Sequence, residues 1–142
     1  MEIARKYKKY YEEYSHNREQ ICKDKKIANG TFQKYLRLNY LIPKVQELVD
    51  NKKLAILPAA YISFIDRDYQ DIIYHLVQFY DCEITSGVAK RIKEDYLLCK
   101  KKNENYYLNE SVIKNIKEKK ALKFHFYKMK LKNFLMEYQN IV

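Results

Sequence analysis

A chain of 142 residues suits one domain or two small ones. Apolar residues make up 47% of it, with 15 Tyr and 6 Phe, which excludes a disordered polar chain; only two Gly and two Pro leave little room for a hairpin-rich β fold. The formal net charge of +10 favours an anionic partner such as DNA, RNA or acidic lipid without choosing among them.

Residues 2–14 read as a helix, because Ile3, Tyr7, Tyr10, Tyr11 and Tyr14 recur at spacings of three and four. Ser15-His16-Asn17 breaks it. Asn17 suits an N-cap, and Gln20 stands where a capping box takes Glu or Gln. A short helix over 18–25 follows, then a turn, then a third helix reaching about Asn39. Pro43 suits the first turn of a fourth helix with Val45, Leu48 and Val49 inward. Asn51-Lys52-Lys53 is a turn, and Pro58 opens a short helix to about Ile65. Asp66 can cap a helix over 67–80 with Tyr69, Ile72, Ile73, Leu76 and Val77 inward. After a break at Asp81-Cys82-Glu83, Thr85 or Ser86 caps a helix to about Lys100 with Val88, Ile92 and Tyr96 on its apolar line. Residues 100–105 form the best linker, dividing a helical domain over 1–100 from a C-terminal extension over 101–142, a small interaction subdomain. Within that extension a short helix is expected over 109–119. Leu122, Phe124 and Phe126 alternate with polar neighbours, which suggests one strand near 121–127. The fold class is therefore all-α, multi-helical, with at most that one strand.

The charge is uneven. Residues 1–60 carry net +6, residues 61–84 net −4 and residues 85–142 net +8. Two basic lobes flank an acidic middle. The odd number of cysteines (Cys22, Cys82, Cys99) matches no metal knuckle. Glu2, Arg5 and Lys6 interrupt any signal-peptide core, and the longest apolar stretch, Leu54–Ile65, is too short to cross a bilayer and contains Pro58 and Ser63. A reducing cytoplasm and no membrane partner are expected.

The segment 19–38 carries the function. Ile21 and the small Cys22 stand where two helices cross, Ile27 plugs the turn, and Phe32, Tyr35 and Leu36 face the core; this is the spacing of a helix-turn-helix. At about 100° per residue, Asn29, Gln33 and Arg37 then share the outward stripe, with Gly30, Thr31 and Lys34 beside it. Asn and Gln can pair with adenine, Arg can read guanine, and Lys and Arg can hold phosphates, while Gly30 lets backbone approach the duplex. Two positions depart from the usual pattern: Lys25 replaces a bulky apolar residue and Lys26 replaces Gly, implying a modified turn.

Three stretches in order carry a family resemblance. They are Glu2-Ile3-Ala4-Arg5-Lys6-Tyr7 leading to Asn17-Arg18-Glu19-Gln20-Ile21; Phe32 through Leu38 with Leu41-Ile42-Pro43; and Val45 through Leu54 with Ala59-Ala60 and Gln70. Residues 2–80 thereby resemble the central DNA-binding region of ParB-type chromosome and plasmid partition proteins. The resemblance implies an all-helical fold on double-stranded DNA, often as a homodimer on a palindrome, in DNA segregation or related regulation. The family's usual Arg in the turn is Asn29 here, so site preference should differ. Its nucleotide-binding domain normally precedes this region, and without one no CTP or other cofactor is expected of this chain.

The residues support no other chemistry. His16, His75 and His125 form no metal-ligand pair, Gly30 and Gly87 build no phosphate loop, and Asp66, Asp68 and Asp71 read as helix-capping residues rather than a Mg²⁺ site. A tyrosine nucleophile needs convergent Arg and His, whereas Arg5 and Arg18 belong to the first two helices. The expectation is a binding protein, not an enzyme. Two alternatives stand beside duplex DNA. One is a protein-interaction adaptor using residues 61–84 or the C-terminal apolar line Leu131, Leu135, Tyr138 and Val142; the other is RNA binding through exposed tyrosines.

Overall fold

The computed structural model describes residues 1–119. The chain divides into two compact units, residues 1–108 and 109–142. The first carries seven α-helices: α1 (Glu2–Glu13), α2 (Arg18–Lys25), α3 (Asn29–Arg37), α4 (Pro43–Asp50), α5 (Ile56–Ile62), α6 (Arg67–Phe79) and α7 (Ser86–Lys101). A 3-10 turn, Leu38–Tyr40, separates α3 from α4. In the second unit a helix covers 110–119, opened by Asn109, whose Oδ1 accepts from Val112 N at 3.0 Å. Among the described residues there is no strand. The strand expected near 121–127 and the C-terminal apolar line lie outside them.

Helix α1 ends because Ser15 and His16 adopt left-handed φ of 51° and 67°, which continued helix cannot accommodate. The His16 N–H returns to Tyr11 O at 2.8 Å and its ring packs on Tyr11 at 4.6 Å. Asn17 caps α2 as expected, its side chain accepting from Gln20 N at 3.2 Å. The capping box itself does not close. Asn17 N–H is already bonded to Tyr14 O, so the Gln20 amide turns instead to Asp24 at 2.7 Å.

The apolar line of α1 is shifted from the expected one. Ile3 is 46% exposed, and Ala4 is the fully buried residue. A small side chain is needed there because Asn39 of the 3-10 turn approaches closely enough for its Nδ2 to donate to Ala4 O at 2.8 Å. Tyr7 and Tyr11 reach over Phe32 of α3, with ring centroids 5.2 and 6.4 Å away. Contact between such rings helps to hold α1 on α3.

The remaining helices form a scaffold behind α3, which packs on α5; α5 packs in turn on α7, and α4 on α6. Pro43 occupies the first turn of α4, where its missing N–H costs nothing, and Val45, Leu48 and Val49 are buried. Helix α5 starts at Ile56, two residues before the expected Pro58, since the whole first turn lacks intrahelical N–H partners and tolerates proline. Ile73, Leu76 and Val77 line the inner face of α6; Tyr69 and Ile72 are half-buried. Thr85 caps α7 by accepting from Val88 N at 3.3 Å. The first unit extends through Leu108, and Tyr106 packs against Tyr69 and edge-on to Tyr96, with ring centroids 5.7 and 6.2 Å away. Burial pushes the Tyr96 and Tyr106 phenols up to about 12, with Asp66 adding to the first and Asp95 to the second. Among the described residues no helix is long and apolar enough to cross a membrane.

Candidate nucleic-acid interface

Helices α2 and α3 meet at a turn whose geometry is set by Lys26. This residue takes φ 54° and ψ 48°, the left-handed cap for which Gly is usual, and its N–H bonds Cys22 O. Ile27 N–H also returns to Cys22 O, at 3.0 Å. The turn is thus not modified, contrary to the expectation from a missing Gly; lysine adopts the same conformation. The reason lies on either side, where Ile21 and Phe32 are both fully buried and hold the two helices at their crossing. Lys25 is exposed and extends its ammonium over the Tyr10 ring at 4.7 Å, so its stem covers apolar surface. A non-Gly residue in this region costs about 1–2 kcal/mol. Lys26→Gly is accordingly expected to raise stability by about 0.5–1 kcal/mol, after allowing for the greater freedom of Gly in the unfolded chain. Urea denaturation midpoints check this, and an unchanged or lowered midpoint would show that no strain resides in the turn.

The outward side of α3 carries the candidate residues. Asn29, Gly30 and Gln33 are exposed, and Thr31 and Lys34 are half-buried. A Cβ built on Gly30 would meet nothing within 4 Å, so nothing inside the chain requires glycine there.

Arg37 is placed differently from the expected open stripe. Its Nε donates to Ser63 Oγ at 2.9 Å and its Nη2 to Ser63 O at 2.9 Å. The guanidinium lies 3.8 Å from the Phe64 ring centroid and 4.5 Å from that of Tyr40. Ser63 ends α5, where carbonyls lack intrahelical donors and a cation is favoured. Ser63 thus takes Nε and one N–H of Nη2, so Arg37 joins α3 to α5 by one edge of its guanidinium while the Nη1 edge is not engaged by Ser63. Burial lowers the Arg37 pKa from its ordinary value and Tyr40 partly offsets this; Lys93 of α7 is lowered by burial and then by the charge of Arg37.

An open cleft of about 570 Å³ runs along this surface, lined by Tyr11, His16, Asn17, Arg18, Glu19, Gln33, Leu36, Arg37 and Phe64. It brings the start of α2 beside the outer side of α3. Asn29, Gly30, Thr31 and Lys34 do not line it. Sequence reasoning missed Arg18, Ser63 and Phe64 as neighbours of the site. One signal was present: a lone Ser in the apolar run 54–65 is a buried polar group that must find a partner. Among the described residues no group of His, Cys, Asp and Glu could hold a metal ion.

Two helices crossing at a capped turn, with the second presenting amide and small residues outward, define a helix-turn-helix domain on a helical scaffold. The family model described as the ParB HTH domain matches residues 1–94, from α1 into α7, and the chain belongs to that family. No curated protein and no solved structure gives a match to the chain.

Proposed function

We propose that the chain binds double-stranded DNA at a specific site, with α3 in the major groove, and serves plasmid or chromosome partition or related regulation in the cytoplasm. The observation that carries this reading is the exposure of Asn29, Gly30 and Gln33 on the second helix of a ParB-type helix-turn-helix in a chain of net charge +10. Asn29 and Gln33 supply amides for base edges, Thr31 and Lys34 supply donors at the flank, and Gly30 admits the backbone to the duplex. Arg37 supports α3 and reaches phosphate rather than a base. A second copy on a palindromic site accords with the family, and the role is one of binding, not catalysis.

A protein-interaction adaptor is the second reading. It is favoured by Phe79 and Tyr80, which are 67% and 63% exposed at the end of the acidic segment.

Titration with mixed-sequence duplex DNA at 50 and 200 mM salt tests the first reading. If six phosphates are neutralised, affinity falls about a thousandfold across that range. Selection from a random duplex library should then return a site whose preference Gln33→Ala relaxes. Gly30→Ala should weaken binding while leaving stability equal or up to about 1 kcal/mol higher, as helix propensity dictates. Absence of binding at low salt would favour the adaptor.

A further inference from the structure

Phe64, just beyond α5, is 38% exposed. Two cations from other helices meet its ring: Arg37 Cζ of α3 at 3.8 Å and Lys93 Nζ of α7 at 3.6 Å from the centroid. Among the described residues neither makes a salt bridge with a carboxylate. The other groups at Arg37 are the hydroxyl and carbonyl of Ser63 and the Tyr40 ring. Those acting on Lys93 are Arg37, which repels it, and Glu94, its neighbour in α7, whose attraction ranks below that repulsion. The Tyr61 ring also lies 5.7 Å from its ammonium.

Two like charges drawn to one ring, both partly desolvated and neither neutralised by a paired carboxylate, repel each other until an anion arrives. Arg37 and Phe64 line the cleft with Asn17, Arg18 and Gln33, and Lys93 reaches the same Phe64 ring from α7, so an anion held at Arg37 would sit beside the outward surface of α3. Ser63 takes Nε and one N–H of Nη2 and leaves Nη1 and the second N–H of Nη2 for another acceptor.

We propose that Arg37 and Lys93 together hold one phosphate of the DNA backbone, so that α7 touches the duplex beside the helix-turn-helix. This rests on the reading of the chain as a duplex-binding protein. Lys93, far from α3 in the sequence, is thereby assigned a role that the motif alone does not give it.

The test compares the full chain with Lys93→Met and Lys44→Met in titrations of a mixed-sequence duplex between 50 and 200 mM salt. Methionine retains a stem over the ring and removes the charge. The slope of log affinity against log salt should fall in magnitude by about 0.9 in Lys93→Met, the change produced when one phosphate is no longer neutralised. It should change little in Lys44→Met, where Asp71 already stands 3.6 Å from the ammonium. Lys93→Arg should restore the slope. The thermal midpoint of Lys93→Met should equal or exceed that of the parent, because a repelled charge has been removed. An unaltered slope in Lys93→Met with steep parental binding overturns this inference alone. An equal fall in both methionine variants also overturns it, marking the effect as overall charge. No parental binding at low salt defeats the duplex reading and this phosphate site with it.

Discussion

Replacing Gln70 by Leu is expected to destabilise the first compact unit by about 3 kcal/mol. Gln70 is 2% exposed, in the middle of an otherwise apolar face of α6. Its Oε1 accepts from Ile42 N at 2.8 Å, and its Nε2 donates to Ile65 O at 2.9 Å and Tyr40 O at 3.3 Å. One side chain therefore satisfies backbone groups at the exit of the 3-10 turn, at the cap of α4 and before α6. Leucine fills a similar volume, so the cost is not one of packing. The change leaves a donor and two acceptors without partners, and each such buried group costs about 1–3 kcal/mol, reduced where water can enter. Because Tyr40 closes the 3-10 turn after α3, the same change loosens the support of α3. Urea denaturation measures the effect; a value below about 1 kcal/mol would mean that water replaces the amide at little cost.

Arg37→Ala is expected to lower both stability and duplex affinity, whereas Lys34→Ala lowers affinity with little change in stability. The Arg37 side chain is half-buried, bonded twice to the 5%-exposed Ser63 and packed against Phe64. Charge-assisted hydrogen bonds contribute about 1.5–3 kcal/mol each when desolvated, and partial exposure reduces this, so the total decrease is about 2 kcal/mol. Removing the guanidinium also leaves Ser63 O without that donor. Lysine does not replace it, because a single ammonium cannot span the hydroxyl and carbonyl as the planar fork does. The stability of Arg37→Ala and Arg37→Lys, measured beside their duplex affinity, separates the two roles. Parental stability in Arg37→Ala would show that the bonds to Ser63 contribute nothing and return Arg37 to the groove.

Gln70 and Arg37 differ in how far their neighbours in the chain reveal them. Gln70 belongs to the stretch that resembles the partition family, yet nothing around it shows what it bonds, since Tyr40, Ile42 and Ile65 lie on other elements. Arg37 falls on the outward stripe by helical periodicity. Its long side chain then leaves the stripe for Ser63, 26 positions along the chain.

Helix positions were legible because their causes are local. Asn17 and Thr85 cap with their own side chains, Pro43 starts α4, and apolar residues return at helical spacing. The helix-turn-helix was legible for the same reason, Ile21, Cys22, Ile27 and Phe32 all falling within one short segment. Lys26 shows the limit of local sterics: alone they call for Gly, but the buried Ile21 and Phe32 on either side impose the left-handed turn on a lysine. The amino-acid order by itself therefore determined the all-helical class, the approximate helix boundaries and the exposure of Asn29, Gly30 and Gln33 opposite the buried Phe32, since these depend on neighbours within a few residues; Leu36, expected inward, is half-buried and lines the cleft. The gathering of Ser63, Phe64 and Lys93 around Arg37, and the buried bonds of Gln70, were decided only by tertiary packing. Those interactions join residues dozens of positions apart, and no local rule of spacing or propensity reaches that far.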